Sequence, residues 1–436
     1  MSRSSQDDRR QPTASSRLSD GSIIEMLFRR ETEETVFACF RGGTWNEELR
    51  VPLGTGKVLM PYRPDNNLLS HRVVLFPSSV GSYETTEELL REVRDFIHRY
   101  VDVSADFEEI ATYYVLLSWV YDVFNEIPYL RARGDFGSGK SRLLQTVGSV
   151  CYKPIFASGA STISPIFRIL DSIRGTLVID EGDFRVSDEK ADIVKILNNG
   201  NARGFPILRS EATPQKEYNP RAFTVYGPKI VATRRYFDDQ ALESRCITED
   251  MGLRTVRSDI PLNLPKSFLA EGEELRNKLL LYRFRTLTEE KVLSPDRSIE
   301  PRIAQVFAPL LSLVADREAR QRMVLVARRY NRDLRGLRTL DLESEILRAI
   351  YSLKQDGVLL SMKAIAEQLS EEIGEAISPR RVGSILRRRL FLSPLRREGV
   401  FVIPSTEFPK LTSLFEKYRI VDSEPNDDVG DVGDES

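Results

Sequence analysis

Cysteine and histidine are scarce in this chain of 436 residues: there are three cysteines, Cys39, Cys151 and Cys246, and two histidines, His71 and His98. An odd number of isolated cysteines supports no disulfide framework, and two lone histidines support no zinc site. A reducing, cytoplasmic setting is therefore expected. Net charge is scarce as well. The 63 basic and 65 acidic side chains leave a formal charge of −2, so contact with a polyanion has to come from local asymmetry. Long apolar runs are missing, the best stretch being residues 113–121, far short of a membrane span. Residues 1–20 are polar and rich in Ser, Arg and Asp, unlike a secretory signal. No repeat at a fixed period is visible.

What the chain does have is the run Gly134-Asp135-Phe136-Gly137-Ser138-Gly139-Lys140-Ser141, which fits the pattern G-x-x-x-x-G-K-[ST] at every fixed position. A short strand is expected before it, over residues 127–133, and a helix after it from Arg142, the order a phosphate cradle requires. Gly134, Gly137, Ser138 and Gly139 let consecutive backbone N–H groups face phosphate oxygens. The helix N-terminus adds its positive end, Lys140 reaches the β- and γ-phosphates, and the Ser141 hydroxyl ligates Mg²⁺. This chemistry is that of an NTPase. Gly54-Thr55-Gly56-Lys57 is a decoy, because Val58 follows where a hydroxyl is needed.

About forty residues later, Gly175-Thr176-Leu177-Val178-Ile179-Asp180-Glu181 reads as a buried parallel strand delivering two carboxylates to the sheet edge where ligands bind in α/β folds. Asp180 is expected to hold Mg²⁺ through water, and Glu181 to orient and deprotonate the attacking water. The strand Lys229-Ile230-Val231-Ala232-Thr233 ends in a polar residue followed by Arg234 and Arg235 and resembles a sensor strand, although many relatives carry Asn where Thr233 stands. Ala241-Leu242-Glu243-Ser244-Arg245-Cys246-Ile247 then contains Ser-Arg-Cys, which resembles the arginine-finger motif of clamp-loader AAA+ ATPases. The resemblance implies that Arg245 reaches a neighbouring subunit's nucleotide, where a guanidinium stabilises charge spreading over the γ-phosphoryl oxygens. The bland reading makes Arg245 a helix-end residue paired to Glu243 or Asp239.

Along the chain, residues 1–21 have the composition of a disordered tail. Residues 22–84 form a small β-rich module of unknown purpose, with β-favouring pieces between Gly-Gly, Gly-Thr-Gly and Arg-Pro-Asp-Asn turns. Residues 85–126 carry two helical patterns leading into the ATPase core at 127–261. Residues 262–340 read as a helical lid and linker, with Arg276 and Arg283 as candidates for a lid arginine or for a solvated face. Between the carboxylate and sensor strands, the Asn-Asn-Gly-Asn and Arg-Gly turns of residues 196–209 suggest a hairpin or exposed loop. In superfamily 3 helicases an insertion here grips DNA, so Arg203, Arg209 and Lys216 are either a basic pore tip or ordinary surface charge.

The region 341–405 reads as helix, helix, helix, hairpin, the order of a winged helix-turn-helix. Ser378 as N-cap with Pro379 after it marks the third helix. Seven arginines fall between Arg380 and Arg397 in an otherwise neutral chain. Arg380, Arg381, Ser384, Arg387 and Arg388 on the helix, with Arg396 and Arg397 in the wing, are the expected DNA contacts. Winged helices also bind proteins, and Arg387, Arg388 and Arg389 also fit a solvated side. Residues 421–436 are an acidic tail.

Taken together, residues 122–404 resemble an AAA+ ATPase of the superfamily 3 helicase-like kind found in replication of phages, plasmids and other mobile elements. The resemblance implies an α/β core with a parallel sheet, ATP and Mg²⁺ as ligand and cofactor, DNA as partner and a ring, a hexamer, of copies that works with other replication proteins. Two other readings stand beside the motor: an ATP-dependent initiator, helicase loader or regulatory switch without translocation, and a DNA-binding scaffold whose nucleotide is structural.

Overall fold

The computed structural model describes residues 10–180, 188–212, 218–237, 239–287, 299–339, 342–373, 376–397, 399–418 and 420. The chain divides into two compact units, Met1–Ala327 and Arg328–Ser436.

The first unit opens with strands β1 (Arg10–Pro12), β2 (Ser15–Arg17), β3 (Ile23–Arg29), β4 (Glu34–Arg41), β5 (Thr44–Glu48), β6 (Val51–Pro52) and β7 (Val58–Met60). Strands β2 to β5 form an antiparallel sheet in chain order, and β1 pairs in parallel with β7 beside β6. Residues 10–17, expected in a disordered tail, are thus paired strands. Backbone pairing is indifferent to their polar side chains, and Ala14, fully buried between β1 and β2, pins them to the core.

Helix α1 (Asn67–Ser70) precedes α2 (Thr86–Tyr100) and α3 (Ala105–Val120), whose caps are Thr85, accepting from Glu88 N at 3.1 Å, and Ser104, accepting from Phe107 N at 3.2 Å. The α2 stripe Leu89, Val93, Phe96 and Ile97 faces inward. Helix α3 is buried on almost every side, as an all-round apolar helix must be.

Five parallel strands follow. They are β8 (Tyr129–Arg133), β9 (Ile155–Ser158) and β10 (Leu177–Asp180), then β13 (Lys229–Thr233) and β14 (Cys246–Asp250), with the antiparallel hairpin of β11 (Ile207–Ala212) and β12 (Tyr218–Phe223) between β10 and β13. Helices α4 (Lys140–Val150), α5 (Ile163–Ile173), α6 (Asp188–Asn199) and the short α7 (Gln240–Glu243) connect them. The spatial order is β14-β8-β13-β10-β9. Every neighbouring pair is parallel. Their apolar runs are buried on both faces, which is why they do not alternate in sequence. With β13 and β14 flanking β8, all carboxyl ends gather at one edge, where an open α/β sheet binds ligands.

Helices α8 (Ser267–Thr286) and α9 (Pro301–Leu311) complete this unit, and α10 (Arg317–Thr339) runs across the division. The second unit contains α11 (Leu342–Gln355), α12 (Met362–Ile373) and α13 (Pro379–Arg388), then the hairpin β15 (Leu395–Arg397) and β16 (Val400–Val402), then α14 (Phe408–Tyr418). Ser378 caps α13, accepting from Arg381 N at 3.2 Å. Ile346, Ile350, Ile365, Leu369, Val382 and Leu386 form the core, closed by Leu411 and Phe415 of α14. Among the described residues, no helix is long and apolar enough to cross a membrane.

Candidate nucleotide site

The phosphate-loop motif occupies the turn between β8 and α4. Its root is fixed from both sides: Gly134 N donates to Thr233 O of β13 at 3.1 Å, and Met251 N, just past β14, donates to Arg133 O at 2.6 Å. Gly137 and Gly139 adopt left-handed backbone, with φ of 75° and 92°, a region an L side chain enters at a cost. Gly134 is required for a different reason, since a Cβ there would meet Met251 O at 2.5 Å and Ser138 Oγ at 2.7 Å. Helix α4 begins at Lys140 with no side chain capping its first N–H groups. The loop therefore presents unpaired donors and a positive helix end to its mouth.

Lys140 Nζ donates to the carbonyls of Gly134 at 2.7 Å and Asp135 at 2.6 Å, so its ammonium lies over the loop. Ser141 Oγ donates to Asp180 Oδ2 at 2.6 Å, which brings the phosphate loop and the end of the carboxylate strand together across 39 residues. A cavity of about 360 Å³ opens here, lined by residues 136–142, Asp180, Ala232, Thr233 and Arg234. Thr233 is 2 % exposed, and its buried hydroxyl has no hydrogen-bond partner among the described residues. An orphaned hydroxyl, a carboxylate and a second hydroxyl around the uncapped N-terminus of α4 fit a phosphorylated ligand with a hard divalent cation. Glu181 lies outside the described residues. Arg234 was not assigned a role from the sequence; its position, one residue past the carboxyl end of a central strand, carried the signal.

Arg245 is not at this mouth. Its carbonyl accepts from Tyr129 N at 2.9 Å, at the start of β8, and Cys246 pairs with Tyr129 in register. The phosphate loop leaves the other end of β8, roughly 13 Å away at 3.3 Å per residue. The Arg245 guanidinium donates to Asn198 Oδ1, and its Nε is buried without a partner among the described residues. Burial, with Arg302 nearby, holds its pKa below the ordinary guanidinium value. Of the alternative pairings with Glu243 or Asp239, neither forms among the described residues: Glu243 is engaged by the fully buried Arg131, through Nη1 to Oε2 at 2.6 Å and a second parallel bond, and Asp239 accepts from Asn198 Nδ2 at 2.5 Å.

The lid candidates are corrected by packing. Arg276 and Arg283 are 5 % and 3 % exposed, so neither is a solvated face, and neither lines the cavity at the loop. Arg283 pairs with Asp122 through two 2.9 Å bonds and with Glu25 at 2.7 Å, while Arg276 donates to Ser149 O at 2.7 Å. Helix α8 packs against α2, α3 and α4, so these arginines tie elements together inside the unit.

In the insertion, Arg203 precedes the hairpin rather than forming its tip. Its backbone N donates to Asn125 O at 2.9 Å, and its guanidinium bonds Asp122 O and lies 5.3 Å from the Tyr226 ring centre. Arg209 sits on β11 opposite Arg221, exposed, 5.5 Å over the Phe167 ring. Lys216 falls outside the described residues. In the second unit Arg380, Arg381, Arg387, Arg388, Arg396 and Arg397 are all exposed and Ser384 is half-buried. Arg387 lies 5.8 Å from the Phe401 ring centre of the hairpin, and Arg389 pairs with Glu343.

No family model matches the chain, and no curated protein matches it. Among solved structures, the chain is similar to an active helicase, Cch of SCCmec type IV, at 11 % identity and a TM-score of 0.40, over 92 % of this chain and 80 % of that one. It is similar to the apo C-terminal region of NrS-1 at 10 % identity and a TM-score of 0.37, over 87 % and 96 %. Cdc6p from Pyrobaculum aerophilum is matched at 11 % identity and a TM-score of 0.20, over 79 % and 99 %. Likenesses of this size assign neither family nor activity.

Proposed function

We propose that this chain is a P-loop ATPase of the AAA+ type, acting on DNA as a helicase or translocase in the replication of a mobile element. The observation that carries the reading is the Ser141–Asp180 hydrogen bond of 2.6 Å at the mouth of the glycine-rich loop. In the proposed reaction the N–H groups of the loop and of the first turn of α4 hold the β- and γ-phosphates of ATP, and Lys140 exchanges its two carbonyl acceptors for phosphoryl oxygens. Ser141 directly, and Asp180 through water, would hold Mg²⁺, which would supply positive charge beside the phosphates. Thr233 orients the attacking water through its unbonded hydroxyl, and Glu181 accepts the water's proton as the γ-phosphorus–oxygen bond to ADP breaks.

Arg245 serves the site of a neighbouring copy, since within one chain it stands at the opposite end of the sheet. That requirement supports a ring of copies, by analogy a hexamer. The second unit acts as a winged helix-turn-helix, with α13 entering a DNA groove through Arg380, Arg381 and Ser384, while Arg387, Arg388, Arg396 and Arg397 meet phosphates. The β11–β12 hairpin with Arg209 is the element that grips DNA as nucleotide turns over.

A second reading keeps the ATPase and drops translocation, so that ATP switches an initiator or helicase loader. The anchoring of Arg203 to the body of the unit favours it, because that arginine does not extend the hairpin's reach. ATP hydrolysis measured with and without single- and double-stranded DNA at two salt concentrations, followed by strand displacement on a forked duplex, separates the two. Salt-sensitive stimulation with strand displacement supports the motor. Turnover indifferent to DNA, with no displacement, refutes it in favour of the switch.

A further inference from the structure

A second cavity, of about 450 Å³, lies at the other end of the parallel sheet. Its wall includes Tyr152, Arg174 and Tyr226, each three residues before a strand begins, so the cavity sits at the amino ends of β9, β10 and β13, away from the phosphate loop. Four guanidinium groups line it: Arg17 on β2, Arg174 ending α5, Arg203 before the hairpin and Arg283 on α8. Two carboxylates answer them. Asp122 lines the cavity and Glu25 stands behind it, and both are bonded to Arg283. The side chains of Arg17 and Arg174 are exposed and make no ion pair or hydrogen bond among the described residues. The lining itself thus carries more cations than anions, which suits a phosphate monoester dianion.

The walls are held in place before any ligand arrives. Tyr121 donates to Arg174 O at 3.0 Å, Tyr226 donates to Phe124 O at 2.6 Å and to Tyr121 O at 3.0 Å, and Tyr152 donates to Glu25 at 2.7 Å. Arg174 is held at a φ of 55°, so its side chain leaves a fixed helix end. The Tyr121 and Tyr226 rings, 5.6 Å apart between centres and inclined at 48°, give the cavity an aromatic wall that an aromatic base can pack against. A volume of this size accommodates one nucleotide.

We propose that this cavity is a second binding site, for the 5′-phosphate of a nucleotide, free or at the end of a strand. Arg17 and Arg174 grip the phosphate, and the Arg203–Tyr226 pair borders the base. Arg203 and Thr224 lie on either side of the β11–β12 hairpin and both line the cavity. A bound nucleotide therefore holds both roots of the hairpin.

The test uses the full chain carrying Lys140→Ala, which silences the phosphate loop, and titration calorimetry with thymidine 5′-monophosphate, a 5′-phosphorylated dinucleotide and thymidine. The expected result is binding of at least one phosphorylated probe and not of thymidine, weakened at least about tenfold by Arg17→Glu and by Arg174→Asn. Asn tolerates the left-handed backbone at 174, and unchanged urea midpoints verify that both variants fold. Binding of the monophosphate identifies a free nucleotide, and binding of the dinucleotide alone identifies a strand end. No binding of either phosphorylated probe, equal binding of thymidine, or affinity indifferent to both substitutions overturns the site. None of these outcomes depends on whether the chain hydrolyses ATP.

Discussion

Replacing Glu243 by alanine strands the guanidinium of Arg131 inside the sheet. Arg131 is fully buried on β8, with its Nη atoms on the two Glu243 oxygens and its Nε donating to Thr248 Oγ1 at 3.0 Å. Glu243 itself is 7 % exposed and also accepts from Phe237 N at 3.0 Å. Removing one member of a buried ion pair typically costs about 3–5 kcal/mol, against a total stability of about 5–15 kcal/mol for a typical domain. Urea unfolding followed by the emission of Trp119, fully buried and bonded to Val150 O at 2.9 Å, reads this unit. The Glu243→Ala midpoint is expected to fall by the equivalent of that loss at an unchanged slope. The double variant Arg131→Met with Glu243→Leu recovers most of it, because no buried charge remains. A Glu243→Ala protein within about 1 kcal/mol of the parent refutes the reasoning. It would mean that Arg131 is not committed to Glu243, and the fixed placement of Arg245, two residues on, would lose its support.

Two other outcomes follow from the same geometry. Arg245→Ala is expected to bind ATP like the parent and to lose about 10³-fold or more in turnover, and mixing it with Lys140→Ala subunits restores part of the activity; normal turnover in Arg245→Ala refutes the shared site. Lys229 is fully buried, its ammonium donating to the carbonyls of Gly200, Val225 and Gly227, and burial lowers its pKa from 10.5 to about 7. Between about pH 7 and 10.5 the unfolded chain therefore carries a proton that the folded chain has released, so this residue makes stability rise with pH in that window and leaves it flat below. Urea midpoints at pH 7 and pH 9 should rise more in the parent than in Lys229→Met; equal rises contradict the assignment. Lys153, also lowered to about 7 by burial, contributes the same sign to both proteins.

The shape of the candidate nucleotide site was legible because its geometry is local. Gly137 and Gly139 need left-handed backbone, Lys140 opens the helix, and Asp180 ends an apolar strand, so residue type and spacing state the structure. The ends of the chain were less legible. Residues 10–17 look like a polar tail because their strands are held by backbone bonds to β7 and β3. Helix α14 did carry a signal, the spacing of Leu411 and Phe415, but its purpose, closing the second core, is tertiary. The arginines were read least well. Arg276 and Arg283 occur in a sequence rich in charge, and whether such a residue faces water or a buried carboxylate depends on partners such as Glu25 and Asp122, more than 150 residues away. The same holds for Arg203, whose bond to Asp122 O and stacking on Tyr226 take it away from the hairpin tip.

The central claim is that the loop at 134–141 and Asp180 form one ATP-hydrolysing site. Phosphate release from ATP with Mg²⁺ present, compared between the parent protein and its Lys140→Ala and Ser141→Ala variants, tests it most directly. The account predicts steady turnover in the parent that falls to background in both variants. Turnover that survives both substitutions, or a folded parent that neither binds nor hydrolyses ATP, contradicts it.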